Sequence, residues 1–390
     1  MIGELAPFEG FNITFNTNED CNLKCKYCYE IDKKHRVLNL EDAKSFIDII
    51  LTDDNPCGLN GTQDEKITRS PRIILDFIGG DALMHPELVD SILDYWVLKS
   101  TMLNHRWRHS WRVSISTNGT LFGSKEVRDF IYKWKDCLSI GVSLDGCPEI
   151  HDLNRITNDG KGSMQFILKD WEWFLSVYGE SGRQTKATLN KQSIPFLYDS
   201  LRYLHEEMGI KFINMNFAFE DTKLTEDDLK EFDRQMELCV EYVLQHKDDL
   251  YWSMIKKELT DASSYQETIK RIPNSGWCGS GAMPALSVTG DIYPCFRFLP
   301  HTQTTIKDFC VGNVKDGLSK KENFKIIRDA TRERISPEKC KQCEVESACA
   351  WCIAGGLAET GTLSRQTYIC EITKKQVKWA KEYWKRYESL

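Results

Sequence analysis

The chain has 390 residues, 41% hydrophobic and 28% charged, enough for a full core and more than one module. A formal net charge of −7 leaves no basic surplus for nucleic acid, and no apolar run is long enough to span a membrane. The first residues, "MIGELAPFEG", have neither a basic nor an apolar signal region, so a cytoplasmic location is expected.

The first predicted element is a strand, "FNITF", in which Phe11, Ile13 and Phe15 alternate with polar residues. Asn39 is a helix-capping residue ahead of "LEDAKSFIDIIL". Residues 53–71 read as a polar loop. Then "RIILDFI", "WRVSIST", "LSIGVSL", "TKATLN" and "KFINMNF" read as strands. Between them lie helices after Pro86, after Ser124, around 163–178 and from Pro195. Six strand–helix alternations predict a parallel sheet with right-handed crossovers, too few for a closed eight-stranded barrel. The expected fold is α/β: a partial (β/α)6 TIM-like barrel over residues 1–220, a helical bridge over 221–275, and a small cysteine-rich α+β module over 276–390. The closing stretch, with Trp379, Tyr383 and Trp384, reads as an amphipathic helix whose aromatics pack.

Fifteen cysteines are dense for a chain kept in a reducing compartment, and there they favour metal over disulfides. Cys21, Cys25 and Cys28 sit in "DCNLKCKYCYE", directly after the first strand. Three thiols leave one iron of a four-iron cluster without a protein ligand, and an open position makes a metal site reactive. Zinc or buried free thiols are the structural alternative, but zinc usually takes four ligands. The second set is Cys278, Cys295, Cys340, Cys343, Cys349, Cys352 and Cys370, with a hairpin predicted at Gly290-Asp291 in "SVTGDIYPC". Its Cys-x2-Cys pairs also suit a zinc ribbon.

The Cys-x3-Cys-x2-Cys loop, with aromatic Tyr27 before the last cysteine, resembles that of the radical S-adenosylmethionine (SAM) enzymes. The resemblance implies a 4Fe–4S cluster on Cys21, Cys25 and Cys28 whose open iron chelates SAM. Cleavage of SAM would then yield methionine and a 5′-deoxyadenosyl radical. "GGD" at Gly79, Gly80 and Asp81 resembles the Gly-Gly-Glu-Pro motif that meets the SAM amino group, with Asp-Ala in place of Glu-Pro. "STNGT", with Ser116 and Asn118, and "GVSLDG", with Ser143, resemble segments lining the ribose and carboxylate side of SAM. Arg155, ending "HDLNR", is the implied partner of the SAM carboxylate. This resemblance spans roughly residues 11–218.

The C-terminal cysteines resemble a SPASM module, which carries two auxiliary 4Fe–4S clusters, three clusters in all. The spacing departs from the family's, with x2 where x3 is usual before the penultimate cysteine. By position, Cys340, Cys343, Cys349 and Cys370 would hold the outer cluster. Cys278, Cys295 and Cys352 would hold the inner one, leaving it one ligand short unless Cys310 or another group completes it. Enzymes of this type modify ribosomally made peptides or proteins. The sulfatase-maturating branch carries Asp directly after the cysteine of its "IYPC"-like segment. Here that residue is Phe296, which counts against formylglycine formation. The expectation is a peptide maturase forming a crosslink such as a cysteine thioether. The alternatives are carbon–carbon crosslinking, epimerisation, sulfatase maturation, or a zinc-stabilised binding protein. Implied partners are the precursor peptide, a separate leader-recognition protein, and an electron donor such as flavodoxin or ferredoxin.

Overall fold

The computed structural model describes residues 10–60, 65–218, 224–260, 278–302, 308–346, 348, 349 and 351–390. Six strands lie side by side in chain order, all parallel: β1 (Phe11–Asn18), β2 (Ile73–Gly79), β3 (Trp111–Thr117), β4 (Leu138–Ser143), β5 (Gln184–Leu189) and β6 (Phe212–Phe217). Parallel neighbours need a crossover, and helices supply it. These are α1 (Leu40–Thr52), α2 (Glu65–Thr68), α3 (Pro86–Met102), α4 (Lys125–Trp134), α5 (Pro148–Asn154), α6 (Met164–Tyr178) and α7 (Leu197–Arg202), with α8 (Glu226–Gln245) after β6. Asn39 caps α1 by accepting from Glu41 N at 2.8 Å, and Pro86 opens α3 at a position that needs no donor.

Alternation along each strand divides the sheet into two faces. Phe11, Ile13 and Phe15 of β1 and Ile73, Leu75 and Phe77 of β2 are fully buried towards the helices. Phe15 stacks on Phe77 at 5.0 Å and meets Phe46 of α1 edge-on at 5.3 Å. The other face is polar: Asn12, Thr14 and Asn16 of β1, Asp76 of β2, Ser114 and Ser116 of β3, and Lys186 of β5. That polar inner face is where the candidate chemistry lies.

Three elements differ from expectation. The helix expected from Pro195 starts at Leu197, because Asn190 and Ser193 cap each other reciprocally and set up a tighter turn over Lys191–Phe196 first. The segment expected as a helical bridge also contributes a strand, β7 (Tyr251–Trp252), parallel to β6, although residues 221–223 and 261–275 lie outside the described ones. The polar loop of 53–71 contains the one-turn helix α2.

The C-terminal part continues the same sheet. β8 (Ala285–Leu286) runs parallel beside β1, and β9 (Asp291–Tyr293) and β10 (Gly312–Asn313) follow antiparallel. The order is β10-β9-β8-β1-β2-β3-β4-β5-β6-β7. The β8–β9 turn closes on Gly290, whose φ of 82° suits glycine. The C-terminal helix Cys370–Glu388 packs on α8 and the segment after it. Trp379 Nε1 donates to Asp233 at 2.7 Å and Trp384 Nε1 to Ile255 O at 2.8 Å, so these aromatics do pack.

Candidate active site

The loop after β1 is pinned from two sides. Gly79, at φ 142°, and Gly80 lie against it so tightly that a Cβ on Gly80 would run into Asp20 O and stand 2.9 Å from Cys21 Cβ. Gly80 N donates to Asn18 O at 3.1 Å and Asp81 N to Asp20 O at 2.9 Å. The glycine pair therefore lets the β2 loop and the cysteine loop meet backbone to backbone. Asp81, 2% exposed, is also largely spoken for. Its carboxylate accepts from Leu83 N at 2.9 Å, Asn118 N at 2.8 Å and Thr117 Oγ1 at 2.9 Å. Burial nonetheless pushes its carboxyl above the usual range, against those donors.

The "STNGT" loop holds the cysteine loop from the other side. Asn118 Nδ2 donates to Asn22 Oδ1 at 2.8 Å and lies 3.9 Å from Cys21 Sγ, while Asn22 Nδ2 donates to Thr120 at 2.7 Å. Tyr27, Asp145 and Arg155 form one buried unit: Tyr27 donates to Asp145, Arg155 Nε lies 3.1 Å from Asp145, and the guanidinium sits 5.4 Å from the Tyr27 ring centre. The partner that Arg155 has here is thus Asp145, while its charge also acts on Cys25. Ser116 and Ser143 stand apart from this group, on the inner face. Ser116 accepts from Lys186 Nζ at 2.7 Å, and Ser143 pairs in register with Lys186.

Burial pushes the Cys21 thiol up to about 12, with Asp81 adding to the effect, and burial raises Cys25 as well. Lys33 counters this: it hydrogen-bonds Cys28, and its charge acts on both Cys28 and Cys21. Tyr29 links the loop to the rest. Its ring meets Phe296 edge-on at 5.9 Å, and the Arg297 guanidinium lies 4.7 Å from its centre. The loop is also tied to the C-terminal part through His301 O, which accepts from Ile31 N and Asp32 N at 2.9 and 3.1 Å.

The C-terminal thiols fall into two groups. Cys295 is raised to about 12 by burial, then by Cys278, with Cys352 also contributing. Cys340 and Cys370 are raised by burial and by Cys349, and Cys343 also acts on Cys340. Buried Arg365 opposes the charge of Cys340 and Cys349. Cys310 packs against the apolar cluster that holds Cys295, but its thiol donates to Gly312 O at 3.1 Å, and the charges acting on it are Asp291 and Asp308 rather than other thiols. The thiol spacing also bears on what these groups could hold. Zinc binding thiolates at about 2.3 Å sets them about 3.8 Å apart. Among the described residues, no three cysteine sulfurs lie within 4.8 Å of one another.

The inner face carries residues that the sequence reading did not single out. Lys186 crosses β4 over Gly141, where a side chain would meet its Cε at 2.9 Å, and so reaches Ser116 on β3. Asp76 is pushed above the usual carboxyl range by desolvation, opposed by the Lys186 charge and a hydrogen bond from Ser114. The signal was present: a lone Asp in "IILDFI" and a lone Lys in "TKATL" are charges placed inside strands. Lys33 and Asp145 had weaker signals, and Arg365 had none.

No protein-family model matches the chain. Among curated proteins it is 26% identical over 303 residues to an uncharacterised protein of Methanocaldococcus jannaschii, covering 76% of this chain and 86% of that one. It is 26% identical over 358 residues to the antilisterial bacteriocin subtilosin biosynthesis protein AlbA of Bacillus subtilis, covering 88% and 67%. A serine-type anaerobic sulfatase-maturating enzyme of Bacteroides thetaiotaomicron is 30% identical over 153 residues, covering 38% and 32%. The fold matches anSMEcpe with bound AdoMet at a TM-score of 0.69, with 17% identity over 97% of this chain and 99% of that one. It matches Streptococcus suis SuiB bound to its precursor peptide SuiA at 0.58, with 17% identity over 92% and 75%. Motif order, fold and relatives point the same way: the chain resembles the radical SAM maturating enzymes of the SPASM-bearing type.

Proposed function

We propose that the enzyme is a peptide maturase that crosslinks a ribosomally made precursor, most simply through a cysteine thioether. The observation that carries the reading is the inner face. Asn12 Oδ1, Thr14 Oγ1 and both amide atoms of Asn16 are buried there without hydrogen-bond partners. Buried amides and hydroxyls are costly unless paired, and a peptide backbone offers the matching donors and acceptors.

Cys21, Cys25 and Cys28 are the residues that would hold the reactive 4Fe–4S cluster, and Lys33 and Asn118 flank their sulfurs. Held there, the cluster and SAM would supply the radical chemistry that takes a hydrogen atom from the peptide. Asp76, with its raised carboxyl, is suited to take a proton from a substrate thiol, and Lys186 with Ser116 and Ser114 orients polar groups beside it. Cys340, Cys343, Cys349 and Cys370 are assigned to one auxiliary cluster, and Cys278, Cys295 and Cys352 to the other, which would take the one electron left over when the carbon–sulfur bond forms. The neighbours of Cys310 support leaving the latter with three protein ligands, a position that a substrate thiolate suits. Residues 1–220, 221–275 and 276–390 are proposed as barrel, bridge and SPASM module. A leader-recognition protein and a flavodoxin or ferredoxin are the proposed partners.

Sulfatase-type maturation is the second reading, favoured by the 30% identity to the Bacteroides enzyme. Phe296, packed on Tyr29, speaks for the peptide reading. Co-expression with candidate precursor peptides, followed by mass spectrometry, separates the two. The expected product is lighter by two hydrogens and resists thiol alkylation. A sulfatase peptide converted to formylglycine would replace this reading with the second.

A further inference from the structure

On the outer side of the sheet, α7 ends in a widened π turn over Tyr203–Glu207, closed by Met208 N donating to Tyr203 O at 3.1 Å. Such turns re-aim side chains and recur at functional positions. This one presents His205 to the end of α8, where His246 caps the helix and Asp249 follows one turn later, with Asp249 N donating to His246 O at 3.1 Å. One ligand atom from each of His205, His246 and Asp249 lies within 4.8 Å of the others, and among the described residues no other group of three His, Cys, Asp or Glu does this.

The hydrogen bonds fix the tautomer of His205. Glu206 is held by Arg202 in a two-pronged pair at 2.7 and 3.2 Å, so its carboxylate only accepts. Tyr242 Oη donates its single proton to Glu206 at 3.0 Å. It therefore accepts at 2.7 Å from His205 Nδ1, which must carry the hydrogen. In the neutral ring the Nε2 lone pair then faces Asp249 Oδ2 at 3.5 Å, while His246 Nδ1 stands 3.8 Å from the other oxygen, Oδ1. A lone pair facing a carboxylate needs a cation between them, either a proton on Nε2 or a metal ion. Both distances exceed an ordinary hydrogen bond. They approach the edge of a tetrahedron around zinc, about 3.4 Å for bonds of about 2.1 Å. The Glu206–Tyr242–His205 chain is the kind of outer support that orients metal-ligating histidines.

We propose that His205, His246 and Asp249 form a binding site for a zinc-class divalent cation, with water in the fourth position, clipping the end of α7 to the end of α8. Asp249 is 55% exposed, which gives the ion a way in.

The test uses zinc alone, added to the full-length protein with its iron–sulfur clusters assembled anaerobically and then dialysed. The wild type should retain one equivalent more than His246→Gln or Asp249→Asn, both surface changes that leave the circular dichroism unaltered. Zinc-edge X-ray absorption should show, for that equivalent, a shell of nitrogen and oxygen near 2.0–2.1 Å without sulfur. Tyr242→Phe should weaken retention by about 10–100-fold. Zinc should raise the wild-type melting temperature and leave both ligand variants unmoved. Equal zinc in wild type and variants, or a sulfur shell on the differing equivalent, overturns the proposal. So does a melting temperature that ignores zinc and chelator but follows pH through the imidazole range, which would mark a plain His205–Asp249 ion pair.

Discussion

The two cysteine-rich regions are built in opposite ways. The first places three thiols within eight residues and surrounds them with loops from neighbouring strands: Gly80 pressed on Asp20, Asn118 bonded to Asn22, and Lys33 on Cys28. The second gathers thiols spread from residue 278 to residue 370 and depends on long-range packing and the buried Arg365. A local loop can present an open, reactive position because its shape comes from the strands beside it. A dispersed set owes its shape to the tertiary fold and is suited to a fixed, closed role. On the proposed assignment the group of Cys278, Cys295 and Cys352 is one thiol short, and it would share the open character of the first.

The sharpest break of this comparison is the triple replacement of Cys21, Cys25 and Cys28 by Ala. It should abolish 5′-deoxyadenosine formation from SAM under strong reductant, while iron and sulfide assays still find the C-terminal clusters. Loss of all iron would show that the two regions do not assemble independently.

Asp76→Asn should lower peptide modification by roughly 10²- to 10⁴-fold, the range for general acid–base catalysis, with SAM cleavage little changed. Unaltered peptide turnover would remove Asp76 from the mechanism. The same variant carries a stability sign. The folded-state pKa of Asp76 is raised, so the wild type is relatively favoured at low pH and loses that advantage as pH rises through the raised value. Asp76→Asn should therefore be more stable than wild type at neutral pH, with the gain vanishing below the ordinary carboxyl range. Melting temperatures across pH read this directly.

Gly80→Ala tests the tight loop contact. The new Cβ collides with Asp20 O, and the strain should cost about 1–3 kcal/mol in denaturant melts. It should also lower the iron content of the first site only. The smallest effect is expected from Cys310→Ala: full iron in the inner cluster, since Cys310 is bonded to Gly312 O. Loss of that cluster would make Cys310 its fourth ligand and the inner site a closed one.

Much of this was legible in the chain. The six strands follow from alternation in "FNITF" and its successors, because period-2 burial is a local property. The Asn39 cap and the Gly290 turn are local as well. The three-thiol loop is a contiguous signal, read without the fold. What the sequence could not supply are relations between distant residues. That Lys186 reaches over Gly141 to Ser116 depends on β3, β4 and β5 lying side by side with a glycine between. That Arg155 meets Asp145, that β8 extends the sheet beside β1, and that His205 meets Asp249 are likewise products of packing. Local pattern decides which residues form strands, helices and the cysteine loop. Only the assembled sheet decides which of their polar side chains share a desolvated space, because that depends on register and crossover rather than on neighbours in the chain.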